Sequence, residues 1–158
     1  MKRSAVNAIL EVYKNVITDL KFFLNDISDE QLILILDSTT QNKDCISIQN
    51  ILSHTINAGY SYLDYIQKNR NVDFKKPDRL YSSSIKDYQN GLDEMFYQTV
   101  NVFQNIFDDE LERYKDSEKI LTRWNQHYDI EQIMEHAIVH IMRHQLQIKN
   151  LIQKNIYK

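Results

Sequence analysis

Two glycines and a single proline in 158 residues leave this chain almost no tight-turn chemistry. A β-sandwich or barrel needs a turn every few residues, many of them at backbone angles that favour glycine. The same scarcity excludes a Rossmann or P-loop nucleotide site. Gly59 and Gly91 stand alone, and no phosphate-cradling loop can be written around either. A chain of this length suits one domain, residues 1–158, and can bury about two-thirds of its surface without staples. Cys45 is the only cysteine, so disulfides within the chain, cysteine-rich zinc sites and iron–sulfur clusters are ruled out. Any metal must be held by histidine or carboxylate.

Four long segments repeat apolar residues at helical spacing. The first, residues 4–26, carries Val6, Ile9, Leu10, Tyr13, Ile17, Leu20 and Leu24 on one stripe. Ser28 with Gln31 writes a capping box for a short extra helix, with residues 32–36 as its apolar plug. Ser47 is the N-cap expected for the second long helix, which runs to about Lys68 through Ile48, Ile51, Leu52, Leu63 and Ile66. Gly59 on its inward face costs about 1 kcal/mol of helix propensity, and lets either another helix or a ligand come close. A long connection around Pro77 follows, and the third helix spans Ile85 to Phe107. Residues 108–126 are charged and mixed, read as a helical tail and a loop. Asp129 and Gln132 then form a second capping box, opening a last helix that reaches about Asn155.

Amphipathic helices of about 20 residues can bury their stripes only against one another, which gives an all-α four-helix bundle. The connection between the second and third long helices is long enough to cross over, so strict up-and-down order is not required. The net charge of −3 offers no basic field for a phosphate backbone, so nucleic acid is not expected as a partner. The longest aliphatic run, residues 32–36, is far short of the roughly 18 residues that span a bilayer. Glu11 and Lys14 interrupt the only stretch that resembles a signal peptide, and a cytoplasmic location is expected.

Three of the five histidines fall on the last helix at His136, His140 and His144. Residues four apart sit about 6 Å from each other along the axis, so neighbouring imidazoles can converge on one ion. Taking Ile130 as zero and about 100° per residue, His144 lies near 320° and His140 near 280°, both inward, and His136 turns further towards solvent. Two histidines hold a metal poorly, so a third should come from another helix. His54, at the margin of the second helix's stripe, is the better candidate; His127 precedes the last helix's cap and reads as a loop residue. The plainer reading is a set of hydrogen-bonded core histidines, although two inward imidazoles side by side would then each need partners in an apolar place. Tyr60, Tyr62 and Tyr65 read mainly as packing, and Trp124 as a staple of the loop onto the bundle's end. Glu135 falls on the solvated side, and Asp64 stays open as a candidate base.

The spacing His136-x3-His140-x3-His144, followed by Gln147, resembles the last-helix motif of DinB-like (YfiT-like) proteins, H-x3-H-x3-H with a following R-G-Q. Leu52-Ser53-His54 is similar to the segment that supplies that family's other ligand. Gln145 and Leu146 replace the usual Arg and Gly, and by phase Leu146 points away from the apolar stripe, so it should not fill the pocket. The resemblance implies His54, His140 and His144 as ligands of a divalent metal, zinc or nickel, with an open coordination position. It also implies a metal-dependent enzyme, thiol S-transferase-like or hydrolase-like, acting on a small molecule with a low-molecular-weight thiol as a further partner. Two alternatives are a non-catalytic metal- or ligand-binding module and an interaction bundle that forms a homodimer through exposed helix faces.

Overall fold

In the computed structural model, which describes residues 1–156, helices start where the capping residues stand. The Gln31 amide donates to Ser28 Oγ at 3.2 Å while Gln31 Oε1 accepts from the Ser28 amide at 2.9 Å. Asp129 and Gln132 make the same reciprocal pair at 2.9 and 3.0 Å, and Ser47 Oγ takes the Asn50 amide at 3.1 Å. Each pair satisfies donors that a helix start leaves orphaned. The helices are α1 (Ser4–Leu24), α2 (Asp29–Ile33), α3 (Ile48–Asn69), α4 (Ile85–Phe103), α5 (Asp108–Leu111) and α6 (Ile130–Ile156). The four long ones, α1, α3, α4 and α6, form the expected all-α bundle.

Packing runs α1–α6–α3–α4 and back to α1, which places α1 across the diagonal from α3, and α4 across from α6. Directions follow from named contacts. His54 and Tyr62 of α3 meet His140 and His136 of α6 in reverse order, so this pair is antiparallel. Ile56 and Gly59 of α3 lie beside Gly91 and Met95 of α4 in the same order, so that pair is parallel. The segment from Arg70 to Ser84 therefore travels back along the bundle, returning Ser82 to Gln49 at the start of α3 (2.8 Å). This is the crossover between the second and third long helices. Leu20, Leu24, Ile51, Leu52, Leu63, Leu92, Met95, Phe103 and Ile133 are among the fully buried side chains along the bundle axis.

Gly59 serves a helix–helix approach and not a ligand: an ideal Cβ there would lie 2.0 Å from Met95 Sδ. Met95 is itself fully buried, and its sulfur takes the Tyr13 hydroxyl at 3.8 Å. The overpacking cost of Gly59→Ala should lie towards the upper end of about 1–3 kcal/mol, because the methyl falls on fully buried Met95, so it outweighs the ~1 kcal/mol gain in helix propensity and the fold is destabilised. Urea unfolding of the two proteins checks this; an alanine variant as stable as the wild type would contradict it.

Four expectations need correction. The first helix ends at Leu24, two residues early. Of residues 32–36, Leu32 is buried in the core and Leu36 packs half-buried against it, while Ile33, Leu34 and Ile35 are exposed. The third long helix stops at Phe103, although Ile106 beyond it is fully buried. Within residues 108–126 lies a small hairpin strand, β1 (Ile120–Leu121), paired antiparallel with β2 (His127–Tyr128), so His127 is an exposed strand residue and not a loop residue. Among the described residues no helix is long and apolar enough to cross a membrane.

Candidate metal centre

Antiparallel α3 and α6 bring His54 opposite the turn that carries His140 and His144. His140 Nε2 lies 3.2 Å from His54 Nε2 and 3.0 Å from His144 Nε2. Coordinating nitrogens of all three residues fall within 4.8 Å of one another. Two tetrahedral ligands at a metal–nitrogen distance of 2.0–2.1 Å are about 3.3 Å apart, close to the spacing seen here. His140 and His144 are buried, and His54 is half-buried.

The outer nitrogens decide which way the lone pairs point. His144 Nδ1 lies 2.8 Å from Gln147 Oε1, a carbonyl that can only accept, so Nδ1 carries the proton. His54 Nδ1 lies 3.3 Å from Asp44 Oδ2, which likewise accepts. Both Nε2 atoms then turn lone pairs inward. His140 Nε2 carries at most one proton and can satisfy only one of them. A cation among the three nitrogens satisfies all at once, so the donor set fits a divalent metal of the imidazole-binding class.

The electrostatics agree. Burial, then repulsion from His144 and His54, drives the His140 pKa down to about 2. Burial lowers His144 to about 4 against the opposing bond to Gln147. Burial also lowers His54, with Asp44 opposing. All three imidazoles are thus neutral at pH 7, the state in which a metal is bound. Burial disfavours the Asp44 carboxylate, yet Arg79 and then His54 hold its pKa below the usual range. Arg79 bridges Asp44 to Ser53, donating from Nη2 to Asp44 Oδ1 and from Nε to Ser53 Oγ at 2.8 Å.

Two open cavities border the cluster, and His54 and Arg143 line both. One, of about 580 Å³, is lined by His54, His144, Asp37, Asp44, Cys45 and Lys154 among others. The other, of about 310 Å³, is lined by His54, His140, Tyr62, Trp124, Arg123 and Arg143 among others. A family model of the DinB superfamily matches residues 13–148. The chain belongs to the DinB superfamily. No curated protein matches it. The matched stretch of this DinB-superfamily chain contains all three clustered histidines and both cavities' histidine walls.

The remaining histidines stay outside the cluster. His136 stacks on Trp124, with centroids 4.7 Å apart and planes 14° apart, and His127 is exposed. Trp124 does pack the loop onto α6, and it also walls a cavity. Tyr62 is buried, meets His140 edge-on at 5.9 Å, and has its pKa raised by burial to about 12. Asp64 is tied to Lys68 at 2.6 Å, and Glu135 is exposed. Leu146 is exposed, as its phase requires, but it lines the larger cavity, which corrects the expectation that it stays out of the pocket. Sequence reasoning missed Asp44 and Arg79, which come from loops where no periodicity marks a functional residue.

Proposed function

We propose that His54, His140 and His144 bind one divalent metal ion, zinc or nickel, and that the chain is a metal-dependent enzyme acting on a small molecule. The observation that supports this is the convergence of three Nε2 atoms beside two open cavities. Among the described residues no further cysteine, histidine or carboxylate joins the cluster. A metal held this way would lower the pKa of a water or a thiol towards neutrality. Asp44 and Gln147 hold His54 and His144 by their outer nitrogens and keep their lone pairs inward. Tyr62 packs its ring against His140 from the cavity side. The reaction class is thiol S-transfer or hydrolysis: in the first a low-molecular-weight thiol is the partner at the cluster, in the second a water.

Elemental analysis of the purified protein should find about one zinc or nickel per chain, the stoichiometry of one three-histidine site. After exchange for cobalt, adding a small thiol should change the visible spectrum. A protein with no stoichiometric divalent metal would overturn the proposal. A cobalt spectrum indifferent to thiol would favour hydrolysis.

Asp44 supplies a separate prediction. Loss of the carboxylate that orients a ligating histidine typically costs 10–100-fold in metal affinity. Asp44→Ala should therefore weaken zinc binding by about that factor while the helical circular dichroism stays unchanged. Competition with a chromophoric chelator measures it. Wild-type affinity in the variant would leave Asp44 without a role at His54.

A further inference from the structure

The chain has six arginines, and their partners divide them sharply. Arg3 donates to the Phe103 and Gln104 carbonyls, Arg70 to Glu110 and the Asn105 carbonyl, Arg79 to Asp44 and Ser53, and Arg113 to the Asp109 and Glu112 carbonyls. Among the described residues, the guanidiniums of Arg123 and Arg143 have no carboxylate within ion-pair distance and no hydrogen-bond acceptor. Both line the same cavity of about 310 Å³, the one that opens on His54 and His140. Among the described residues no carboxylate lines that cavity. In a chain of net charge −3, the arginines without protein acceptors have gathered at one place beside the histidines.

We infer that this cavity receives an anionic group of the substrate, a carboxylate or a phosphate-type oxyanion, on the guanidiniums of Arg123 and Arg143. The planar fork of arginine matches both oxyanions in a two-point hydrogen bond. A third cation stands behind the wall: Lys76, half-buried, donates to Ser61 Oγ at 2.7 Å, and Ser61 lines the cavity. Burial, then the positive charge of Arg123, lowers the Lys76 pKa against the pull of Asp64. The positive charges therefore feel one another, and a bound anion relieves that repulsion. The stacked rings of Trp124 and His136 form an aromatic wall of the same cavity, and the Trp124 indole N–H is buried without a protein acceptor. The substrate class is thus a small organic anion whose charged end lies on the arginines and whose reacting end lies towards His54 and His140. As a statement about substrate it rests on the proposed metal site, but the anion site itself is testable without metal.

The test titrates succinate and, separately, inorganic phosphate into the full chain, first stripped with chelator and then loaded with zinc, by calorimetry. Metal-free wild type should bind at least one probe with a dissociation constant of about 1 mM. Succinate alone would identify a carboxylate site and phosphate alone a phosphoryl site. Arg143→Gln and Arg123→Gln should each weaken that binding about tenfold, the value of one charge-assisted hydrogen bond. Both variants should keep wild-type zinc stoichiometry, since neither residue is in the histidine cluster. Arg113→Gln, whose guanidinium already has acceptors, should bind the probe as the wild type does. The inference is overturned if metal-free wild type binds neither probe, or if both cavity variants bind as tightly as the wild type. Arginine-dependent anion binding in a chain that takes up no zinc would uphold the anion site while removing the metal.

Discussion

Replacing His140 with alanine should abolish stoichiometric zinc binding. His140 is the middle of the cluster: its Nε2 is the atom within 3.2 Å of His54 and 3.0 Å of His144. Its removal leaves two imidazoles, too few for a stable tetrahedral site without extra protein ligands. The loss should exceed the 10–100-fold that follows removal of an outer partner, because a coordinate bond itself is lost. His136→Ala is the matched control. It deletes an imidazole from the same helix face, one turn away, whose ring stacks on Trp124 and stays outside the cluster. That variant should keep one zinc per chain. Fold stability separates ligation from packing. In metal-free protein His140→Ala also removes a ring whose Nε2 faces two other Nε2 atoms and can satisfy only one of them, so it should cost less than the about 2–5 kcal/mol of an aliphatic truncation in the core. Zinc uptake by His140→Ala equal to wild type would refute the assignment of the site.

What could be read from the chain, and what could not, follows from how locally each feature is encoded. Ser28–Gln31 and Asp129–Gln132 are reciprocal pairs three residues apart, so their geometry is complete within the sequence window that writes them. The inward phase of His140 and His144 needs only the pitch of a helix. His54 required one tertiary step, the pairing of α3 with α6, and its place at the stripe margin with the resemblance at Leu52-Ser53-His54 pointed to it. Asp44 and Arg79 needed two steps. One lies in a short 3₁₀ turn and the other in the crossover, and their meeting depends on how both segments drape over α3. The hairpin escaped for a different reason. Strands of two residues show no alternation, and their turn places Asn125 at φ 61°, where glycine would have been the visible signal. The exposed residues Ile33, Leu34 and Ile35 show the complementary failure, since a short apolar run carries no period to say which members face inward.

Metal-free protein should lose stability on mild acidification, well above the pH at which carboxylates titrate. His140 and His144 have pKa values near 2 and 4 in the folded chain against an ordinary value of 6.5, and His54 is shifted in the same direction. Between those limits the unfolded chain binds protons that the folded chain refuses, so stability rises with pH across the window. Stability contributed by the neutral imidazoles is complete above about pH 6.5 and is lost as pH falls towards the folded values. At pH 5 His140 and His144 each account for about 2 kcal/mol, because both folded values lie below that pH. A total of ~4 kcal/mol is a large part of the 5–15 kcal/mol that holds a typical domain together. Thermal melts in chelator at pH 7 and pH 5 measure it directly. Asp44 and Asp108, both held below the usual carboxylate range, stay ionised across this interval and cannot produce the change. His140→Ala should flatten the dependence, because the group furthest displaced from its unfolded pKa is gone. Saturating zinc should hold the melting temperature up at the lower pH, since the ion binds only the neutral rings and draws the equilibrium towards the folded state. A melting temperature unchanged between pH 7 and pH 5 in metal-free wild type would mean that the three imidazoles are not held neutral by burial, and the lone pairs turned towards one another would lose their physical cause.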